Sequence, residues 1–200
     1  MKKYSFIIYT GLLSLLLTSC IKEDIKTYQG ASNAEIDATV LNSVAAGLTY
    51  PVITRIPFGG RPIVNASDST LRRLNNTTVR VRINLVGPQS AKDETVGFTV
   101  FTAPPIATIA IAVTMTGQTP SAPAGTLAVQ AAVPNVHFAI ASPGTITIPA
   151  NSSFGYVDVI ILNAGATAGQ GRFVGIELND AGSIKSNPNY SKLGLVIDQR

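Results

Sequence analysis

The chain contains one cysteine, one histidine and no tryptophan, and each scarcity excludes a class of protein. A single cysteine cannot form an intramolecular disulfide, so the fold must depend on a hydrophobic core. A single histidine excludes metal sites built from histidine clusters, and the sequence predicts neither a metal site nor a cofactor. Without tryptophan, an aromatic binding surface has to be made from tyrosine and phenylalanine.

Charge is scarce as well. The sequence has 15 basic and 11 acidic residues, and two of the lysines lie within residues 1–19. No lysine- and arginine-rich cluster with interleaved aromatic residues occurs, which argues against a nucleic-acid partner. From Thr95 to Val157 there is no Asp, Glu, Lys or Arg at all. Such a neutral surface suits contact with a glycan or with the edge of a protein sheet. The alternative is that this stretch consists only of core strands and small-residue loops.

The first 19 residues have the pattern of a secretory signal peptide. Lys2 and Lys3 form a positively charged n-region, and an apolar h-region follows at residues 6–17. This stretch is well short of the ~20 apolar residues that a membrane-spanning helix needs. The sequence therefore predicts export and removal of residues 1–19. An ordinary signal peptide followed by an incidental cysteine is the alternative.

Residues 17–20, Leu-Thr-Ser-Cys, resemble the lipobox of bacterial lipoproteins. The resemblance implies that Cys20 is acylated and becomes the first residue of the mature chain, held stably in a membrane by several acyl chains. Lys22, Glu23 and Asp24 follow at once and resemble the surface-export signal of Bacteroidota lipoproteins. The resemblance implies an outer-membrane lipoprotein that faces the cell surface, with a periplasmic location as the alternative.

The remaining chain is predicted to hold a lipidated tether at residues 20–35 and one β-sandwich domain at residues 36–200. Short segments of alternating apolar and polar residues, separated by Gly, Pro and Asn turns, are typical of an antiparallel all-β sandwich. Thr78 to Val86 is the clearest case, because four apolar residues alternate with Arg80, Arg82 and Asn84. The predicted strands are 50–57, 78–86, 96–101, 109–115, 126–132, 136–140, 145–148, 155–162, 172–178 and 192–198.

The best-defined part of the domain, residues 75–200, is similar to a Calx-beta-type immunoglobulin-like module. The similarity is carried by the motifs at 79–87, 136–138, 144–153, 157–163 and 190–197. More closely, the chain resembles Bacteroidota lipoproteins of unknown function built on such a sandwich. Calcium-binding Calx-beta domains cluster carboxylates at strand ends, whereas Leu162, Asn163 and Arg172 stand at the corresponding places here. Since hard cations need several oxygen ligands, the resemblance does not imply calcium binding.

The sequence does not predict an enzyme. His137 and Asp158 could belong to a Ser-His-Asp triad, but no nucleophile elbow occurs in the chain. His137 stands between Val136 and Phe138 in a predicted strand, so we expect an ordinary histidine on a sheet face.

The predicted role is binding. The family resemblance implies a lipid-anchored accessory protein of an outer-membrane nutrient-capture system, in contact with a glycan or with the transport complex. The alternative is a structural or adhesive module that contacts other proteins through strand edges. Tyr156 and Phe173 are the candidate ligand-contact aromatics, because they fall on predicted strands. Ser69, in Asp68-Ser69-Thr70, resembles the O-glycosylation motif of exported Bacteroidota proteins.

Overall fold

The computed structural model describes residues 30–37, 47–54, 71–73, 78–111 and 125–200, with only the backbone of Ile111 described. Five predicted site residues lie outside these ranges, and what was predicted for them stays a prediction: Cys20, Lys22, Glu23, Asp24 and Ser69. The predicted signal peptide and the ends of the predicted strands 50–57 and 109–115 also lie outside the described residues. Within the described ranges, no helix has the length and apolar character needed to cross a membrane.

The described residues form twelve strands and one short 3-10 turn at Pro188–Tyr190. The strands are β1 (Asn33–Ile36), β2 (Val52–Ile53), β3 (Thr78–Val86), β4 (Glu94–Phe101), β5 (Thr108–Ile111), β6 (Gly125–Ala131), β7 (Phe138–Ile140), β8 (Thr145–Ile148), β9 (Phe154–Ile161), β10 (Gln170–Asn179), β11 (Lys185–Ser186) and β12 (Lys192–Asp198).

These strands make two packed sheets, which confirms the predicted immunoglobulin-like β-sandwich. The five-stranded sheet has the order β11-β1-β3-β9-β7. The seven-stranded sheet has the order β2-β12-β10-β4-β8, with β6 pairing beside β4 along the same edge of β10 and β5 pairing with β6. Most neighbours are antiparallel, as predicted. Three pairs are parallel: β1 with β11, β2 with β12, and β6 with β10.

The main core lies between the two sheets and follows from the alternation of the strands. In β3, Val79, Val81 and Ile83 are buried while Arg80 and Arg82 point away from the core. The same period holds in β9, where buried valines and isoleucines alternate with half-buried outward residues. Burying each of these aliphatic side chains stabilises the fold by about 1.5–3 kcal/mol. The predicted alternation in both strands is therefore confirmed.

The seven-stranded sheet is also covered on its outer face. Phe173 of β10 is fully buried there and packs with Val129 and Val196, against which Phe101 and Tyr50 also pack. We call these five residues the outer cluster. Two glycines make room for its rings. A Cβ at Gly175 would overlap the ring of Phe101, and one at Gly194 would lie 2.5 Å from the ring of Phe173.

The prediction of Phe173 as a ligand-contact aromatic is therefore wrong. Its side chain is 0% exposed, and its ring faces the outer cluster rather than solvent. Along β10, Val174 and Ile176 pack in the main core and Phe173 lies on the opposite face of the sheet. The sequence could not show that this face is covered, because the covering residues include Phe101 of β4, Val129 of β6 and Tyr50 from the segment before β2.

Each predicted strand overlaps an observed strand, with two local differences. β7 begins at Phe138, so the predicted strand residues Val136 and His137 lie in a turn instead. Asn135 adopts a positive φ of 60°, and its N–H donates to the carbonyl of Phe138 at 2.7 Å, which closes this turn. At the other end of the domain, β1 includes residues 33–35, which the sequence assigned to the tether.

Candidate ligand-binding groove

Tyr156, the second predicted ligand-contact residue, lies on the outer face of the five-stranded sheet. Its ring is half-buried and already occupied by neighbours. The guanidinium carbon of Arg80 lies 4.9 Å from the ring centroid, and the ring of Phe154 meets it edge-on at 5.6 Å. Arg82 covers Phe154 in the same way at 4.1 Å. Each arginine thus stacks on the aromatic residue diagonally across β3 and β9, as cation–π geometry favours.

The charges of this face are also matched. Nε of Arg80 donates to a carboxylate oxygen of Asp158 at 3.0 Å, and the second nitrogen donates to the other oxygen at 3.2 Å. This pair raises the pKa of the Arg80 guanidinium further. The Arg82 guanidinium donates to Asn84 at 2.9 Å. The Tyr156 face is therefore satisfied by its own contacts and offers no open ring for a ligand to stack on.

The structure does not bring His137 and Asp158 together. His137 lies opposite Leu162 at one end of the β7–β9 pair, where its carbonyl accepts from the Leu162 N–H, whereas Asp158 lies opposite Ala141 at the other end. His137 is 7% exposed, and its Nδ1 accepts a hydrogen bond from the Val133 N–H at 3.0 Å. Burial and the nearby Arg172 lower its pKa. The predicted sheet-face histidine is thus a buried turn histidine, which fastens the turn before β7.

An open groove lies beside the start of β12, at the edge of the seven-stranded sheet. One wall is formed by Thr49, Tyr50 and Pro51, and the other by residues 188–192. The groove has a volume of about 260 Å³ and is lined in nearly equal parts by polar and apolar atoms. Tyr190 is 40% exposed in it, although large hydrophobic or aromatic side chains are normally more buried. The groove therefore offers a small ligand both an aromatic ring to pack on and polar groups to bind.

The wall at residues 188–192 is held firmly by hydrogen bonds. The Asn187 side chain accepts from the Asn189 N–H at 3.1 Å, and the Asn187 carbonyl accepts from the Tyr190 N–H at 3.0 Å. The Asn187 N–H in turn donates to the carbonyl of Ala34 in β1 at 2.8 Å. The carbonyl of Ser191 accepts from Leu178 of β10 at 2.8 Å. Both sheets therefore fix the backbone around Tyr190, which lowers the entropy cost of ordering this wall when a ligand binds.

The opposite wall is held by aromatic packing and by the sheet edge. The ring of Tyr50 meets that of Phe101 edge-on, with 5.8 Å between the centroids, and the carbonyl of Pro51 accepts from the Gly194 N–H at 2.8 Å. Partial burial, with the nearby Glu177 carboxylate, raises the pKa of the Tyr50 hydroxyl. The hydroxyl is therefore protonated at neutral pH and can both donate and accept a hydrogen bond.

The charged side chain in the groove wall is Lys192, and it is already paired. Its Nζ lies 3.0 Å from a carboxylate oxygen of Glu177, with both side chains about two-fifths exposed. Residues of β10 and β12 directly opposite each other form this pair. An exposed pair of this kind contributes little to stability, but it leaves the groove wall close to electrically neutral.

Sequence reasoning missed both tyrosines of the groove: it placed Tyr50 in the predicted strand 50–57 without considering it as a ligand contact, and it did not consider Tyr190, which lies just before the predicted strand 192–198, as one either. Tyr50 directly precedes Pro51, and Tyr190 directly follows Pro188 and Asn189. An aromatic residue in a proline- and asparagine-rich turn is exposed more readily than one on a strand, because turns run over the surface. The sequence therefore contained a signal that these two tyrosines are exposed. It contained no signal that the two turns lie close together in the fold.

A second opening, the β7 crevice, has a volume of about 420 Å³ and is mainly apolar. It lies beside β7, an edge strand of the five-stranded sheet. Its walls include Val100, Pro134, Phe138, Ile140 and Pro143. Val133 and Val136, which are 48% and 46% exposed, belong to the turn that adjoins it.

No protein-family model, curated protein or solved structure matches this chain. Among the described residues, no group of three or more His, Cys, Asp or Glu side chains is placed to hold a metal ion.

Proposed function

We propose that this protein is a lipid-anchored Bacteroidota lipoprotein of the outer membrane, facing the cell surface, which binds a glycan as an accessory of a nutrient-capture system. The observation that carries the binding role is the groove between Tyr50 and Tyr190. It combines an exposed aromatic ring with polar groups on walls fixed by the sandwich. The lipobox-like residues 17–20 and the charged residues that follow them support the location.

A binding role rather than catalysis is supported by the state of the only histidine. His137 is buried, its Nδ1 is engaged by the Val133 N–H, and Asp158 pairs with Arg80 on the outer face of the sheet. The groove contains ring and amide surfaces suited to holding a sugar. The residues considered for a catalytic triad lie elsewhere in the fold.

The test uses the intact lipidated protein in detergent. Purified protein is probed on a glycan array, and the same protein is recovered from solubilised outer membrane with its bound partners. We expect glycan signals, together with recovery of a transporter or of other lipoproteins. A silent array combined with recovery of nothing but copies of the chain would contradict the proposal.

One observation favours the alternative, a structural or adhesive module that contacts proteins through a strand edge. The β7 crevice is apolar, lies beside an edge strand, and adjoins the exposed Val133 and Val136. Edge strands with apolar surroundings are suited to pairing with another chain. Replacing Val133 and Val136 with threonine should abolish self-association if this alternative holds, and should leave the glycan array unchanged.

A further inference from the structure

We propose that the groove binds one electrically neutral sugar residue, with the apolar face of the sugar ring against Tyr190. This inference rests on the proposed function and assigns its ligand class and its contact residues.

The size of the groove limits the ligand to about one ring. Pockets that enclose drug-sized ligands have volumes of roughly 300–1,000 Å³. At about 260 Å³ the groove falls just below that range, and it is open to solvent along one side. It therefore suits a single sugar residue whose neighbours in a longer glycan extend into solvent.

The tyrosines supply the surface that a sugar ring needs. One face of a hexose ring carries mainly C–H groups, and such a face packs well on a flat aromatic ring. Tyr190 has the exposure to provide it, in contrast to Tyr156, whose ring is covered by Arg80 and Phe154. Tyr50, fixed by Phe101, forms the opposite wall and presents a hydroxyl.

Polar groups in the same walls can satisfy the sugar hydroxyls. Thr49 and Asn189 both line the groove and are exposed, and each carries a side chain that can donate and accept hydrogen bonds. The amide of Asn189 is well suited to a pair of adjacent hydroxyls, because it offers a donor and an acceptor side by side. A site that hydrogen-bonds ligand hydroxyls discriminates strongly against compounds that lack them.

The charge of the wall favours a neutral sugar over an acidic one. A carboxylate or sulfate group is best held by a guanidinium or ammonium group that has no other partner. Lys192 faces this groove but already lies 3.0 Å from Glu177. An acidic sugar would have to compete with Glu177 for Lys192 and would lie close to that carboxylate. A neutral sugar neither competes with Glu177 for Lys192 nor is repelled by the Glu177 carboxylate.

The decisive experiment titrates the full-length lipidated protein in detergent with methyl glycosides of glucose, galactose, mannose and N-acetylglucosamine, and with glucuronic acid. We expect at least one neutral glycoside to bind more tightly than glucuronic acid. We also expect the affinity to be unchanged between low and high salt, because no ion pair forms with the ligand.

Three variants locate the site. Tyr190→Ala should weaken binding of the neutral sugar at least about tenfold, and Tyr190→Phe, which keeps the ring, should weaken it much less. Tyr156→Ala is the matched control and should leave binding unchanged. Thermal unfolding of each variant shows whether it is folded. A fourth variant, Asn189→Ala, is measured as well and should also weaken binding, so it tests the site even if Tyr190→Ala does not fold.

The outcomes separate this inference from the proposed function. Tighter binding of glucuronic acid, weakened by salt, would overturn the neutral-sugar assignment and leave glycan binding in place. Sugar binding that survives both Tyr190→Ala and Asn189→Ala would place the site elsewhere, which also overturns the inference alone. A protein that binds no sugar in the titration or on the array would overturn both.

Discussion

The rings of Tyr50 and Phe101 meet edge-on, with an interplanar angle of 85° and 5.8 Å between their centroids. Phe101 in turn lies 5.7 Å from the buried ring of Phe173. A continuous series of three rings within the outer cluster therefore connects Tyr50, in the groove wall, to the buried Phe173. The sequence predicted Phe173 as a ligand contact. Its buried ring instead packs on Phe101, and Phe101 packs on the groove residue Tyr50.

Replacing Phe101 tests this connection. Phe101→Ala should lower the free energy of unfolding by about 2–4 kcal/mol, because it leaves a cavity between Tyr50 and Phe173. It should also weaken sugar binding, since Tyr50 loses the ring that holds it. Chemical denaturation measures the first effect and sugar titration the second. Phe154→Ala on the opposite sheet removes a ring of the same size, and there we expect some loss of stability with sugar affinity retained. Equal sugar affinity in the two variants would show that Phe101 does not support the groove.

A methyl group added at Gly175 should disturb the same packing from the sheet side. The Cβ of Gly175→Ala would overlap the ring of Phe101, and a well-packed site of this kind loses about 1–3 kcal/mol when overfilled. Gly125→Ala is the matched control, because its Cβ would meet only the Arg200 guanidinium at an ordinary 3.5 Å. Thermal unfolding of the two variants should therefore differ clearly. Equal melting temperatures would mean that Phe101 can move away at little cost.

His137 should make stability depend on pH. Burial and Arg172 lower its pKa in the folded state below that of an unfolded chain, which is about 6.5. Between these two pKa values the unfolded state binds more protons, so the free energy of unfolding falls as the pH is lowered through this window. Above about pH 7 the neutral imidazole keeps its bond from the Val133 N–H, and the full contribution is present.

The measurement compares wild type with His137→Asn in urea unfolding at several values from about pH 7.5 to about pH 5. The asparagine oxygen can accept the Val133 N–H but does not titrate, so the variant should show a flatter pH dependence. Contributions of acids, including Glu35, whose pKa is raised by burial, are common to both proteins and cancel in the comparison. Identical slopes would show that His137 is not responsible.

The sandwich could be predicted from the sequence because the paired strands β3 and β9 carry a period of two. Most of their apolar residues fall on the buried face, and most of the outward residues are polar or aromatic, with Val86 and Ile160 as exceptions; that pattern identifies half-buried strands. The two-residue strands β2 and β11 are too short to show such a pattern, and in β1 the alternation of buried Ala34 and Ile36 with Asn33 and Glu35 covers only four residues. They exist because neighbouring strands offer free backbone groups, which is a property of the assembled sheets.

The groove could not be predicted for a related reason. Tyr50 and Tyr190 are 140 positions apart and meet only because β2 pairs in parallel with β12. A parallel pairing between distant short segments leaves no local trace in the sequence. The sequence predicted Tyr156 on a strand, and the structure places it on the outward face. Its coverage by Arg80 could not be predicted, because it depends on the register of β3 and β9, which sets Arg82 opposite Tyr156 and Arg80 diagonally across from it.

The predicted anchor at Cys20 can be tested independently of the groove. Cys20→Ala removes the thiol that would be acylated, and since stable anchoring requires more than one acyl chain, the protein should leave the membrane fraction on cell fractionation. A protein that remained membrane-bound would contradict lipid anchoring at this residue.

The adjacent charges make a separate prediction about which side of the membrane the domain faces. β1 begins 13 residues after Cys20, so the intervening chain can span at most about 45 Å, and an acylated Cys20 would keep the sandwich close to the membrane on either side. Replacing Lys22, Glu23 and Asp24 with alanine should leave the protein in the membrane fraction but protect it from protease added to intact cells. Replacing Lys26 alone, a charge of the same segment outside the motif, should leave it accessible. If the triple variant stays accessible while the protein remains membrane-bound, these three residues are not the export signal. Surface exposure, and with it access of the groove to external glycans, would then need another cause.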